Sequence, residues 1–357
     1  MKRITITDIA REAGVSKSTV SRVLNNAEIV DAHTCNRVQS VIDKYQYVPS
    51  SVARNLSNRH SDALGVVIPE IANPLFGRFL QAVSSVTDAK GLPLYCFVTD
   101  NSGLKDLQAL ELLYSNQVKG IIYIPANRFV DKDIYSKTEN FLRQGKIPTV
   151  LVDRRLDIYQ QDGVFFDNVG ASYTATRILL AAGHSKIAII NGSDQLRVAR
   201  ERRQGYLSAM EEAGIAVDST YMPQGDFTTE SGYERAKALL SMPDRPTAVL
   251  TCNDYVGLGF YRALAERGES VPNDIELIGF DRIDALTCLG QCYSHIARPT
   301  GQMVAKAMDL LFARIEDPKR PTEATLISPR FVLSKSLEKI AADHYLLSPE
   351  TFAFEDE

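Results

Sequence analysis

The sequence predicts an all-α three-helix head carrying a helix-turn-helix, followed by an α/β body of two similar parallel-sheet lobes. Three observations lead there. Residues 5–24 read as two short helices meeting at Gly14. From residue 62 the pattern turns to alternating strand and helix. Charge also divides between the two parts: residues 1–60 hold nine Lys/Arg against five Asp/Glu, a net +4. The 357-residue chain as a whole is −4, which leaves −8 for the rest. A basic head on an acidic body implies that the head alone meets a polyanion.

In the head, Thr5 is placed to cap the first helix, with Asp8 returning a bond to the cap's backbone N–H. Ile9, Ala10 and Ala13 share one apolar face. Gly14 permits the left-handed residue that stops a helix, and Ser16 caps the next one. On that second helix Val20, Val23 and Leu24 face inward, leaving Lys17, Ser18, Ser21 and Arg22 outside. Asp31 caps a third helix, whose Val38, Val41, Ile42 and Tyr45 fall at helical spacing and close the bundle. Tyr47, Val48 and Pro49 end it. Residues 50–57 are helix-like but too short to be stable alone in water, the placement of a linker that orders on binding. An ordinary amphipathic hairpin is the alternative for residues 5–24. Caps, turn glycine, small hydroxyls and an outward arginine together favour a helix that reads the DNA major groove.

The body opens with a β-branched run at 63–68 and an amphipathic helix from Pro74 to Lys90, ended by Gly91. Further buried strands are predicted at 94–98, 120–124 and 149–152, with helices near 104–116 and 131–144. A second set has strands at 163–166, 186–190, 247–251 and 276–279. Alternating βα units mean parallel sheets covered by helices, and two successive sets suggest two lobes with a ligand cleft at the carboxyl ends of the strands. Whether the lobes exchange strands is left open by the sequence. The predicted divisions are a head over 1–49, a linker over 50–60, a two-lobed body over 61–336 and an acidic tail over 337–357.

Cys35, Cys96, Cys252, Cys288 and Cys292 are odd in number and contain no CxxC pair. They read as buried reduced thiols, which suits a cytoplasmic protein. Cys288 and Cys292 can share a helix face, but no further ligand of metal-site spacing accompanies them. No metal ion and no cofactor is expected. No apolar signal core and no run of about 18 apolar residues is present. A solute-binding protein for import has no use for residues 1–60. An enzyme is not expected either, because GxSxG, GxxxxGK[ST] and HExxH are all absent. His184 reads as a structural residue at a helix–strand turn rather than a base.

With these elements placed, the chain resembles the lactose/galactose repressor (LacI/GalR) family of bacterial transcription regulators, over residues 4 to about 336. The motifs fall in the family's order: residues 5–25 of the head, Tyr-Val-Pro-Ser-Ser-Val-Ala-Arg-Asn-Leu at 47–56, Asn-Pro-Leu-Phe at 73–76 and Val-Asp-Arg at 152–154. Asp-Asn-Val-Gly at 167–170, Ala-Gly-His-Ser-Lys-Ile-Ala at 182–188, Cys-Asn-Asp-Tyr-Val-Gly-Leu-Gly at 252–259 and Val-Pro-Asn-Asp-Ile-Glu-Leu-Ile-Gly-Phe-Asp at 271–281 follow. The resemblance implies a homodimeric repressor on an inverted-repeat DNA operator, with a periplasmic-binding-protein-like body that responds to a small metabolite. Two departures stand out: Cys35 where the family usually has Arg, and Lys335 where it usually has Arg. The tail lacks leucine heptads and ends Glu-Asp-Glu, so a dimer is favoured over a tetramer.

The DNA-contacting residues expected are Thr5, Ser16, Lys17, Ser18, Thr19, Ser21, Arg22 and Asn25 in the head and Ala53, Arg54 and Leu56 in the linker. Lys17 and Ser18 occupy the outer first turn that reaches base edges. Arg22 suits a bidentate contact with guanine O6 and N7. Ser16, Thr19 and Ser21 offer hydroxyls to phosphate, which positions without specifying sequence. Leu56, flanked by Arg54, Asn55, Asn58 and Arg59, has the make-up of a minor-groove wedge; packing against the body is its alternative. Ala53 allows two linkers to approach closely.

For the cleft, the resemblance implies Leu75, Phe76, Asp153, Arg154, Asp167, Arg202, Phe227, Asn253 and Asp281. Acids, an amide, two arginines and two flat rings make a sensible polyol site. Each acid has an interlobe salt bridge or a helix cap as its alternative, and Phe76 and Phe227 have plain core. Purine-binding relatives carry an extra aromatic just before the Phe76 position and a Trp after the Asp153 position. This chain has Leu75 and Arg154 there and no Trp at all. A sugar or sugar acid is therefore preferred to a nucleobase, and the arginines also suit a carboxylate or phosphate.

Overall fold

A computed structural model describes residues 4–25, 29–47, 61–127, 131–145, 147–156, 161–291 and 293–351. It divides into two compact units, residues 1–61 and 62–357.

The first unit is the helical head, with helices Ile6–Glu12, Lys17–Asn25 and Ala32–Tyr45. Its short helices are held by their ends. The Asp8 carboxylate accepts from the Thr5 backbone N–H at 3.0 Å and from its hydroxyl at 2.6 Å. Gly14 sits at φ +62°, Ser16 Oγ accepts from Thr19 N–H at 3.1 Å, and Asp31 accepts from Thr34 N–H at 2.9 Å. Ile9, Ala10, Ala13, Val20, Val23, Val38 and Ile42 form one core. Tyr45 is not part of it: the ring is exposed, beside the Lys44–Glu12 ion pair of 2.6 Å. A phenol at the last helical turn finds its hydroxyl's partners at the rim, which outweighs helical spacing.

The second unit holds two six-stranded sheets. Strands β1 (Leu64–Ile68), β2 (Leu94–Val98), β3 (Gly120–Tyr123), β4 (Thr149–Asp153) and β5 (Gly163–Phe166) lie in the first. Strands β6 (Ile187–Gly192), β7 (Gln224–Gly225), β8 (Ala248–Thr251), β9 (Glu276–Phe280) and β10 (Ser294–Ala297) lie in the second. The chain then returns: β11 (Ala324–Ile327) completes the first sheet in the order β11-β5-β4-β3-β1-β2, and β12 (Arg330–Val332) completes the second as β12-β10-β9-β8-β6-β7. All described pairings are parallel except β10 with β12.

Strand faces explain the apolar runs. Leu64, Val66 and Ile68 of β1 enter one core while Val67 enters the core on the opposite face. Ile187 and Ile189 of β6 likewise separate from Ala188 and Ile190. Sheets covered on both sides need apolar residues at every position.

Four expectations are corrected. Residues 163–166 belong to the first sheet, so the lobes are not two successive sets; they exchange strands, with crossings after β5, β10 and β11. The long-range return is fixed by helix Thr300–Glu316, whose Met303, Val304, Ala307 and Leu311 join the core, and by Arg314, which holds Asp162 at 2.8 Å. Strand β2 is a half-covered edge, with Tyr95 and Val98 exposed. The body does not stop at 336, because helix Lys335–Asp343 buries Leu337 and Ala341. Cys35, Cys96, Cys252 and Cys288 form no disulfide, but only Cys252 is buried; Cys96 and Cys288 are exposed, and Cys292 lies outside the described residues.

Candidate DNA-reading surface and effector cleft

On the head, helix Lys17–Asn25 presents Lys17, Ser18 and Arg22 to solvent, with Thr19 and Ser21 half-buried. No acid stands in its first turn, so the positive end of the helix dipole is uncompensated by a neighbour and favours an anion. Ser16 Oγ holds the turn, bonded to Ser18 Oγ at 2.7 Å and Thr19 Oγ1 at 2.8 Å. Thr5 is exposed, its hydroxyl given to Asp8. Ala53, Arg54 and Leu56 lie outside the described residues, as does the side chain of Asn25.

In the body, the strand ends bring residues of both lobes together. Asp153 closes β4 at φ +63° and Asp281 follows β9 at φ +68°. Non-glycine residues in this region are uncommon, and Asp is among those that tolerate it. Each lobe thus turns one carboxylate in the same way from the end of one strand. Between them stands Arg298, just after β10. Its Nη1 donates to Asp153 Oδ1 at 2.8 Å, and its Nε lies 3.1 Å from Asp281 Oδ1. The three side chains are 7%, 11% and 6% exposed. Burial alone would lower the Arg298 pKa, but Asp281 and Asp153 carry it above the ordinary arginine value. Tyr255 Oη donating to Ala72 O at 2.8 Å and Arg78 paired with Asp284 at 3.2 Å also join the lobes.

Asp153, Arg154 and Asp167 line a cavity of about 220 Å³ together with Arg155, Asn168, Arg197 and Glu201. Arg154 donates to Asn101 Oδ1 and Pro125 O at 2.8 and 2.9 Å and lies over the Phe76 ring. Leu75 and Asp281 line a second, larger groove of about 750 Å³ with Arg298. Of the ion-paired trio, Asp153 lines the smaller space, and Asp281 and Arg298 line the larger.

Arg202 is fully buried. Its Nε donates to Asn168 Oδ1 at 2.9 Å, its Nη1 to Cys252 O, and it lies 4.0 Å over the Phe280 ring. Burial first, and Arg298 second, bring its pKa down to about 10. Asn253 is occupied as a helix cap, accepting from Val256 N–H at 2.8 Å and donating to Phe227 O at 2.9 Å. Asp167 caps a helix too, accepting from Gly170 N–H at 2.8 Å. His184 bonds Thr247 Oγ1 at 3.0 Å at its turn.

Sequence reasoning missed Arg298, Asn168, Arg155, Arg197 and Glu201. Asn168 and Arg197 were within reach, since each begins a helix directly after a strand or its loop. Nothing local marks Arg298, 145 residues from Asp153 along the chain.

Asp254, buried beside this trio, has its pKa pushed up to about 6 by burial and then by Asp281. A carboxyl raised in the folded state holds its proton more tightly there. Its contribution to stability is full below about pH 4 and is lost as pH rises through about 6. Asp254→Asn is therefore expected to gain stability over wild type above pH 6, with the difference vanishing toward about pH 4. Urea melts across that range measure it; a difference independent of pH contradicts it.

A helix-turn-helix head on a two-lobed body with a polar cleft defines an effector-controlled DNA-binding regulator. Residues 5–50 match the model for bacterial regulatory proteins of the lacI family, and residues 176–337 match the periplasmic binding protein-like domain. The HTH-type transcriptional repressor PurR of Pasteurella multocida is 32% identical over 94% of this chain and 98% of its own length. The ribose operon repressor of Haemophilus influenzae is 30% identical over 93% and 98%. Among solved structures, the Lac repressor bound to ONPG in the repressed state superposes with a TM-score of 0.80, at 25% identity over 93% of this chain and 98% of that one. The chain belongs to the LacI family of bacterial transcriptional regulators and is not an enzyme.

Proposed function

We propose that this protein is a repressor that binds an inverted-repeat operator as a homodimer and is controlled by a sugar or sugar derivative held at the Asp153–Arg298–Asp281 cleft. In this reading residues 1–49 read DNA, residues 50–60 are the linker, with Leu56 its wedge, and residues from 61 onward hold the ligand. The single observation that carries it is the meeting of one carboxylate from each lobe on Arg298. A ligand that engages these groups has different contacts in closed and open lobe arrangements, which is what a population shift requires. A coupling of about 1–3 kcal/mol changes operator affinity roughly 5–150-fold.

The relatives divide between PurR repressors and a ribose operon repressor, so the preference for a sugar rests on the residues of the cleft. A nucleobase finds poor support: the chain has no Trp, and the guanidinium of Arg154 covers the Phe76 ring at 5.2 Å.

The assignment of base reading to the second head helix is tested by Arg22→Ala. It is expected to cost about 1–3 kcal/mol at the cognate site and to relax one base pair per half-site. Selection from randomised operators decides this: an unchanged consensus removes Arg22 from the bases.

A further inference from the structure

The cleft contains its own cation. Asp153 and Asp281, the two carboxylates from opposite lobes, both spend their charge on Arg298. The other acids at the smaller cavity are engaged as well. Asp167 accepts from Gly170 N–H, and Glu201 accepts from Arg197 at 2.8 Å and from Asn168 at 3.2 Å. Arg197 is thus matched by Glu201, but Arg154, Arg155 and Arg202 are not matched in the same way. Arg154 has its nearest carboxylate oxygen at 3.9 Å and otherwise holds a carbonyl, an amide oxygen and a ring face. Arg155 lies over the Phe165 ring at 4.3 Å. Arg202, directly behind Asn168, is 2% exposed and its hydrogen-bond acceptors, Asn168 Oδ1 and Cys252 O, are both neutral. Its Nη2 has no hydrogen-bond partner.

A buried guanidinium with only neutral acceptors keeps an unmet demand for negative charge. A second guanidinium nearby sharpens it, and Arg298 does depress the Arg202 pKa after burial. A neutral polyol would have to take its acceptors from acids already committed to Arg298, to Gly170 N–H or to Arg197. An oxyanion in the smaller cavity would meet Arg154 and Arg155, which line it, with charge-assisted bonds in fork geometry, and the field of Arg202 from behind Asn168.

We infer that Arg298 sets the charge class of the effector: with both cleft carboxylates neutralised from within, the site takes a polyol bearing a carboxylate or phosphate, not a neutral sugar. The inference rests on the proposed effector cleft and narrows its ligand class. The volume of about 220 Å³ has room for one sugar unit.

The test is calorimetric titration of the full-length dimer with matched sets, each an aldose, its aldonic or uronic acid, and its terminal phosphate. Carboxylate or phosphate members are expected to bind at least tenfold more tightly than their neutral parent, the scale of one hydrogen bond between charged groups. Their relative affinities identify which oxyanion the cleft takes. Arg298→Gln, which releases both acids, is expected to reverse the preference toward the neutral sugar by a similar factor; the wild-type comparison stands alone if that variant does not fold. A neutral aldose binding as tightly as its acid and phosphate overturns the inference, as does an unchanged preference in folded Arg298→Gln. That outcome leaves the effector cleft itself intact. A bound ligand of either charge that leaves operator affinity unmoved overturns the proposed function instead.

Discussion

Deleting residues 1–61 is expected to abolish specific operator binding while leaving the body folded. The head carries the cationic excess, nine Lys/Arg to five acids in residues 1–60, and the remainder is −8 overall. Phosphate contacts release condensed counterions, so the whole protein should lose affinity steeply with salt, and the truncated one should have no such slope because it does not bind. The magnitude is the full specificity ratio, typically about 10³–10⁷ over random DNA. The body should survive because its cores are built without the first unit: residues 62–357 form a compact unit of their own. Gel-shift titration at two salt concentrations checks the binding, and a thermal melt checks the fold. Operator binding by the truncated protein would place the DNA-reading surface elsewhere.

Arg298→Ala should be the most damaging single substitution in the cleft. It leaves Asp153 and Asp281, 11% and 6% exposed, without their cation. Removing one partner of a buried pair costs about 3–5 kcal/mol, because the stranded charge keeps its desolvation penalty. Asp153→Asn and Asp281→Asn added to Arg298→Ala should recover most of the loss, since no buried charge then lacks a partner. Urea denaturation of the single and triple variants measures both. A loss below about 1 kcal/mol, or no recovery in the triple variant, would mean that the trio does not hold the lobes.

The parts of this molecule that were legible in its sequence are those written in short range. Thr5, Asp8, Gly14, Ser16 and Asp31 act within a few residues of themselves, and the head helices begin and end where those residues say. The buried strands announce themselves as apolar runs because both faces are covered. What stayed hidden depends on partners far along the chain. Strand β11 is only four residues, Ala-Thr-Leu-Ile, partly exposed, and nothing in it points to Gly163–Phe166 as its neighbour. Leu94–Val98 is as apolar as a central strand, yet its position at the sheet edge is a property of the whole order. Tyr45 keeps helical spacing and still lies outside the head core.

The cleft divides in the same manner. Asp153 and Asp281 were visible through the resemblance, but their shared partner was not, since Ala-Arg-Pro at 297–299 reads as a strand end and a turn. Asn253 illustrates the converse: an amide that suits a polyol is committed on both sides, to Val256 and Phe227. Its neighbour Asp254, not among the expected residues, is the buried acid whose pKa burial and Asp281 push up to about 6.

The central claim is that a ligand at the Asp153–Arg298–Asp281 cleft sets how firmly the head holds DNA. The direct measurement is fluorescence-anisotropy titration of the full-length dimer onto its selected operator, with and without a saturating concentration of the best-binding member of the sugar sets. The prediction is a change in operator affinity of roughly 5–150-fold. The same affinity in both titrations, with ligand binding confirmed by calorimetry, would contradict it.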